Sequence, residues 1–344
     1  MNTKSNTSPL VELRRDTRRA SKLDPDLVTA ALLLVLTIAM LAGSRLISSS
    51  LGSWSQVQTV LTLGTFLLLV SFGQGVVVLS GGLDLSVAAM FMFGGVMTTA
   101  LVETGDAGAW YLIPGVMLAA GIVGCISGVG VARLKIPPFI MTMGMGIIVG
   151  SLALGYTSGS TLGASPQFLE DLMKGSAGGV PYVVILFASI CVVGLLVQTR
   201  TVFGRNLYAV GGSPGAARVS GVPVTRTLVL AYAVSAMCAA AGGILLTGYS
   251  GGATLSMGEP YLLPSIAAVV VGGSSILGGR GTFVGTMVGT LFLTTLDSLI
   301  SATGLEQGWR LIVSGLVIVI ALLLQTSPGG PLAGLRKKAL DLFR

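Results

Sequence analysis

The chain has 344 residues, of which 52% are hydrophobic and only 10% charged, and its mean hydropathy is +0.89. A soluble domain carries about 25% charged residues, so this balance excludes a water-soluble enzyme and a disordered tail protein. The net charge of +7 sits at the ends and in short loops without interleaved aromatic rings, which argues against nucleic acid as a partner.

A transmembrane helix takes roughly 20 apolar residues. The expected fold is therefore an all-α polytopic membrane bundle of about ten transmembrane helices. Residues 1–26 form a polar tail holding Lys4, Arg14, Arg15, Arg18, Arg19 and Lys22. The run Leu27–Gly43 follows without a small-residue cleavage site and reads as an uncleaved first helix. Further apolar segments are expected at 57–80, 85–102, 112–132, 138–157, 180–198, 227–248, 262–277, 283–301 and 310–325. A second basic tail, 326–344, closes the chain. Threading these from a cytoplasmic N-terminus puts seventeen of the twenty Lys and Arg residues, and both termini, on the cytoplasmic side. It also puts Trp54, Trp110 and Trp309 at the external interface, where amphipathic rings are favoured. Two segments invite a different reading. Gly81-Gly82-Leu83-Asp84 would break a helix inside the membrane, and 262–277 is short enough to be re-entrant. The Gly-Gly pairs at 81–82 and 272–273 are a faint echo of each other, short of a convincing repeat.

Several chemistries are excluded. The chain has no histidine, which removes the commonest general base and metal ligand. Cys125, Cys191 and Cys238 are far apart in apolar runs and form no CxxC site. No lysine follows a glycine, so there is no phosphate-binding GxxxxGK[ST] loop. No catalytic residues, metal site or bound cofactor are expected, and ATP-driven work would require a nucleotide-binding partner chain.

The residues that remain are few. Asp84 is flanked by apolar runs, where a lone acid costs about 2.5–3.5 kcal/mol on insertion scales. It reads either as an N-cap for the helix starting at Leu85 or as part of a substrate path with Ser86. Asp297, in Leu-Thr-Thr-Leu-Asp-Ser-Leu, fits pathway lining and structural pairing equally well. With Gln74 these make the substrate-path candidates Asp84, Ser86, Gln74 and Asp297. The stripe Gly281, Gly285 and Gly289 reads as tight helix packing. In the long loop 201–226, Ser213 suits an N-cap, Pro214 the first helical position, Gly221 a C′ stop and Pro223 a terminator. This spacing predicts a short cytoplasmic helix over 214–220 bearing Arg218. It reads either as an interfacial connector or as a docking helix for a partner.

At this loop the chain resembles the permease subunits of ribose/xylose/arabinose-type ABC importers. The likeness covers roughly 57–325. It rests on Leu79-Ser-Gly-Gly-Leu-Asp-Leu-Ser86, Lys135-Ile-Pro-Pro-Phe-Ile-Met-Thr-Met-Gly144 and Phe203-Gly-Arg-Asn-Leu-Tyr-Ala-Val-Gly-Gly212, continuing through Ala216–Val222, Ile266–Gly273 and Gly278–Thr286. The sequence departs from the family's pattern at Ser213, at Leu263-Pro264-Ser265 and at Asp297. The resemblance implies a dimeric pore in the bacterial inner membrane, made with a second copy or a sister permease and surrounded by lipid. It also implies a cytoplasmic ABC ATPase that binds the ATP, and a periplasmic solute-binding protein that delivers a monosaccharide or polyol. The family's coupling loop maps onto Gly204, Arg205, Tyr208, Gly211, Arg218 and Gly221. The competing expectation is an ion-coupled secondary transporter using Asp84 or Asp297. A branched-chain amino acid permease of the same superfamily is a further rival.

Overall fold

The structure, a computed structural model, describes residues 25–45, 52–102, 106, 108–160 and 163–302, with 308, 309, 312, 313, 315, 316, 319 and 320. These residues form α1 (Pro25–Ser44), α2 (Trp54–Leu79), α3 (Val87–Leu101), α4 (Ala109–Ala132), α5 (Pro138–Thr157) and α6 (Gln167–Lys174). After the hairpin β1 (Ser176–Ala177) and β2 (Val180–Pro181) come α7 (Tyr182–Arg200), α8 (Val202–Gly212) and α9 (Pro214–Val219). The set ends with α10 (Val224–Ser250), α11 (Glu259–Val271) and α12 (Phe283–Ala302).

Seven of these helices, α1, α2, α4, α5, α7, α10 and α12, are long and apolar enough to cross a membrane. Helices suit that setting because each backbone polar group is satisfied within its own segment. The expected segments 85–102 and 262–277 appear as the shorter apolar helices α3 and α11, of 15 and 13 residues. The expected tenth segment, 310–325, falls largely outside the described residues. So do the two basic tails, apart from Pro25 and Asp26, which begin α1. Burial sorts the spans into layers: in α2, 83% of the membrane-length window is buried, against 22% in α5 and in α7. Thus α2 is the central post, and α5 and α7 present Ile147, Leu152, Val192 and Val193 outward.

Over 57–102 the chain forms the long α2 and then the shorter α3, which turns back along α10: Gly73 of α2 lies against Ser235, and Phe91 and Gly95 of α3 lie against Gly243 and Thr247. Ser80 caps α2, Gly81 takes a left-handed φ of +85°, and a non-helical stretch follows before α3 begins. The same device recurs at the end of α10, where Gly251 (φ +79°) caps the helix and donates its N–H to the Thr247 carbonyl at 2.8 Å. The two breaks share a sequence. Ser80-Gly81-Gly82-Leu83-Asp84-Leu85-Ser86 is matched by Ser250-Gly251-Gly252-Ala253-Thr254-Leu255-Ser256. The internal echo therefore pairs 81–82 with 251–252; Gly272-Gly273 instead ends a short helix.

Packing follows the same symmetry. The long helices α2 and α10 pack on each other; α10 also packs against α3 and α4, and α2 against α11 and α12. Leu79, at the end of α2, meets the loop before α12 and the segment leading into α10, so α2 ends where α10 starts. The two units are consequently inverted relative to one another, an arrangement that in transporters places function at the repeat interface. The first turns of α3 and α11 meet there. A Cβ on Gly258 would run into the Ala88 carbonyl, and the rings of Phe91 and Tyr261 stack with centroids 4.5 Å apart. The expected small-residue packing holds for Gly285 and Gly289, which lie against the backbone of Gly272 and Ala268, while Gly281 falls in the loop before α12, against Ser274.

Candidate functional site

One end of the bundle gathers Arg133, Lys135, Arg200, Arg205, Arg218, Arg226 and Arg280, and all seven are exposed. At that end lies the α8–α9 arm. Thr201 caps α8 by accepting the Gly204 N–H at 3.0 Å, and Ser213 caps α9 by accepting the Ala216 N–H at 3.3 Å. Pro214 holds the first helical position. At the other end of α9, Val222 donates to the Ala217 carbonyl at 2.9 Å and Gly221 to the Arg218 carbonyl at 3.1 Å. That paired pattern is a Schellman stop, and it needs the left-handed φ of +79° that Gly221 supplies. Val222 closes over Ala217 as the usual apolar clasp. The short helix foreseen at 214–220 therefore exists as Pro214–Val219, with its caps where the sequence put them.

The six coupling candidates divide by direction. Arg205, Arg218 and Gly221 are exposed, beside Val219, which is 91% exposed. Gly204 is buried where α8 turns off α7, with the Gln198 carbonyl in the space a Cβ would take. Gly211 lies against the Leu79 carbonyl at the end of α2. Tyr208 donates its hydroxyl to the Gly281 carbonyl at 2.6 Å.

The second cluster lies just beneath, in the α2–α3 break. Asp84 is 1% exposed, and its Oδ1 accepts the Ser86 N–H at 2.9 Å and the Ser86 hydroxyl at 2.5 Å. It therefore ties the turn ahead of α3 and does not cap a helix from Leu85 as expected: α3 starts at Val87, with Ser86 in the N-cap position. Neighbouring elements steady the turn: Thr142 of α5 accepts the Leu85 N–H at 3.0 Å. From α10, the Ser235 and Tyr232 hydroxyls lie near the carboxylate, and neither closes a hydrogen bond within the described residues. No basic side chain pairs with Asp84 among those residues, where the ion pair found is Lys174–Glu170 on α6. A carboxylate held by one hydroxyl and a backbone N–H, without a countercharge, is costly in an apolar interior. The same groups can bind polyhydroxylated solutes or water.

The structure brings Asp84 and Ser86 together and places Gln74 one helix end away on α2. Gln74 is fully buried, and neither amide atom finds a partner within the described residues. Asp297 belongs elsewhere. It lies fourteen residues into α12, roughly 20 Å along that helix at 1.5 Å per residue, beside Tyr261 of α11. Sequence reading missed Ser235 and Tyr232, which sit in Ala-Tyr-Ala-Val-Ser-Ala and look like ordinary helix interior. It also missed Gln198 of α7, whose side-chain oxygen accepts the Phe283 N–H at the start of α12.

Comparison with known proteins bears on what this arrangement does. The chain is 35% identical over 274 residues to the probable ABC transporter permease protein y4mJ of Sinorhizobium fredii, covering 79% of this chain and 81% of that one. It is 36% identical over 259 residues to the ribose import permease protein RbsC of Bacillus subtilis, covering 74% and 80%. It is 32% identical over 299 residues to the fructose import permease protein FrcC of Rhizobium meliloti, covering 84% and 82%. No solved structure matches the chain at a significant level. Residues 56–322, which hold both helix breaks and the α8–α9 arm, match the family model for the permease component of branched-chain amino acid transport systems, and the chain belongs to that family.

Proposed function

We propose that this chain is the membrane-spanning permease of a binding-protein-dependent ABC importer that moves a monosaccharide or related polyol. It is a translocation subunit and not an enzyme. Relatives named for ribose and fructose import support the solute class. The observation that carries the mechanism is the α8–α9 arm, a doubly capped, basic, exposed helix whose base is fixed to the transmembrane helices. A separate cytoplasmic ATPase grips Arg205, Arg218 and the exposed Val219. On this reading the basic end and both termini face the cytoplasm of the plasma membrane. A solute-binding protein delivers sugar at the opposite end, and a second permease, identical or sister, completes the pore within the lipid. The regions 1–26, 27–325 and 326–344 act as basic tail, permease domain and second basic tail. Asp84 and Ser86, with Gln74 deeper in α2, line the inner part of the sugar's path, and Asp297 lies nearer its entrance. The hydroxyls around Asp84 suit a solute that is itself a set of hydroxyls.

The test is uptake by vesicles holding this chain with the ATPase and binding protein encoded beside it. Sugar accumulates only with ATP and binding protein, and collapsing the proton and sodium gradients leaves uptake intact. Arg218→Glu lowers uptake several-fold without lowering membrane insertion. Uptake driven by a gradient in the absence of the ATPase would establish an ion-coupled carrier instead. A binding protein that takes leucine and no sugar would assign a branched-chain amino acid permease.

A further inference from the structure

The α8 helix touches two distant pieces of the bundle at once. Gly211 leaves no room for a Cβ above the Leu79 carbonyl, which ends α2. That same carbonyl accepts the Gly279 N–H at 3.0 Å, and Gly279 in turn packs against Gly212. Three backbone segments, the ends of α2 and α8 and the loop before α12, are therefore in direct contact. Tyr208 closes the junction by donating its hydroxyl to Gly281, two residues further along that loop. Backbone contact of this kind transmits movement better than side-chain contact, because no rotamer can absorb the displacement.

We propose that Tyr208 is a positioning residue for energy coupling: it straps α8 to the α11–α12 loop, so that one push on the arm moves the α2–α3 break and that loop as a single body. This rests on the importer reading and refines it. Tyr208 and Gly211 face inward and transmit force, whereas Arg205 and Arg218 face outward and receive it. Two turns that belong to opposite halves of the inverted repeat are thereby driven together, and the Asp84 turn is carried by one of them. Without the strap, the arm would still bind its partner and still press on Leu79 through Gly211, but the α11–α12 loop, left with the contacts of Gly279 alone, would follow late or incompletely.

Tyr208→Phe keeps the ring and removes the one hydroxyl, so it tests the strap directly in the complete transporter reconstituted with ATPase and binding protein. The expected result is a several-fold rise in ATP hydrolysed per sugar moved, with the ATPase still bound to the permease. An unchanged ratio overturns the proposal while leaving the importer reading in place. A proportional fall of transport and hydrolysis, or loss of the bound ATPase, also overturns it, since that is a merely structural or docking role. Failure of the wild-type chain to bind any ATPase defeats the importer reading itself. A second measurement does not depend on the variant's activity. Spin labels at Ala209→Cys and Arg280→Cys, in a chain whose own three cysteines are replaced, should keep one separation through the ATP cycle. In Tyr208→Phe that separation should spread, and a wild-type pair that moves apart on adding ATP would refute the single-body claim.

Discussion

At Ser80–Ser86 and again at Ser250–Ser256 the chain leaves a long helix through Ser-Gly-Gly and enters a short one through Leu-Ser. In the first break Gly82 is sealed under the Tyr232 hydroxyl, and the variable position holds Asp84, 1% exposed. In the second, Gly252 is half-buried with room for a methyl beside the Gly163 carbonyl, and the matching position holds Thr254, which is exposed. The second break is tied down from outside, where Ser165 donates its N–H to the Gly251 carbonyl at 3.1 Å. A shared backbone device has thus been set in two environments, and the charged side chain sits where neighbouring helices exclude water. What distinguishes the two breaks is the surrounding packing.

The sharpest way to break this comparison is the paired substitution of matching glycines. Gly82→Ala forces a methyl into the fully buried Tyr232, an overpacking that costs typically about 1–3 kcal/mol. Gly252→Ala meets nothing closer than 3.9 Å, and should stay within about 0.5 kcal/mol of the parent. Thermal unfolding of the two purified variants checks this, and equal losses would mean that the two breaks are packed alike after all. Next in size is the charged position. Asp84→Ala removes the acceptor for the Ser86 N–H, a lost internal hydrogen bond costing about 1 kcal/mol, and should reduce transport several-fold. Asp84→Asn keeps an oxygen for that N–H, so stability should recover while transport does not, and Thr254→Ala should do little to either. The smallest effect concerns the arm. Ser213→Ala loses one capping bond in an exposed helix, worth about 1 kcal/mol locally. Faster amide exchange over 214–219 should register it, with global unfolding unchanged.

Much of this was legible in the sequence where local chemistry decides structure. Ser213, Pro214, Gly221 and Pro223 delimit α9 because caps and stops act within a turn of the residues that make them. The long spans were legible because hydropathy alone selects them. The short helices were legible in part: α3 and α11 fall on the expected segments 85–102 and 262–277, and Gly81-Gly82-Leu83-Asp84 read as an interruption, but the likeness of the break at 251–258 to the one at 80–86 went unseen. The inverted repeat was hidden with it. Its two copies run in opposite directions through the bundle, and their likeness lies in a turn sequence rather than in the helices on either side. Asp84 announced itself as an isolated acid. Its neighbours Ser235 and Tyr232 come from about 150 residues away, and only the crossing of α2 and α10 brings them near.

The face-to-face rings of Phe91 and Tyr261 fasten the opening turns of α3 and α11 to each other at the centre of the molecule. An aromatic pair of this kind is worth about 0.5–1.5 kcal/mol beyond the area it buries, which corresponds to a population bias of roughly two- to tenfold. A latch that shallow would steady the two turns against thermal jostling and yet be easily parted. An engine working from below would then need only to favour the unlatched form.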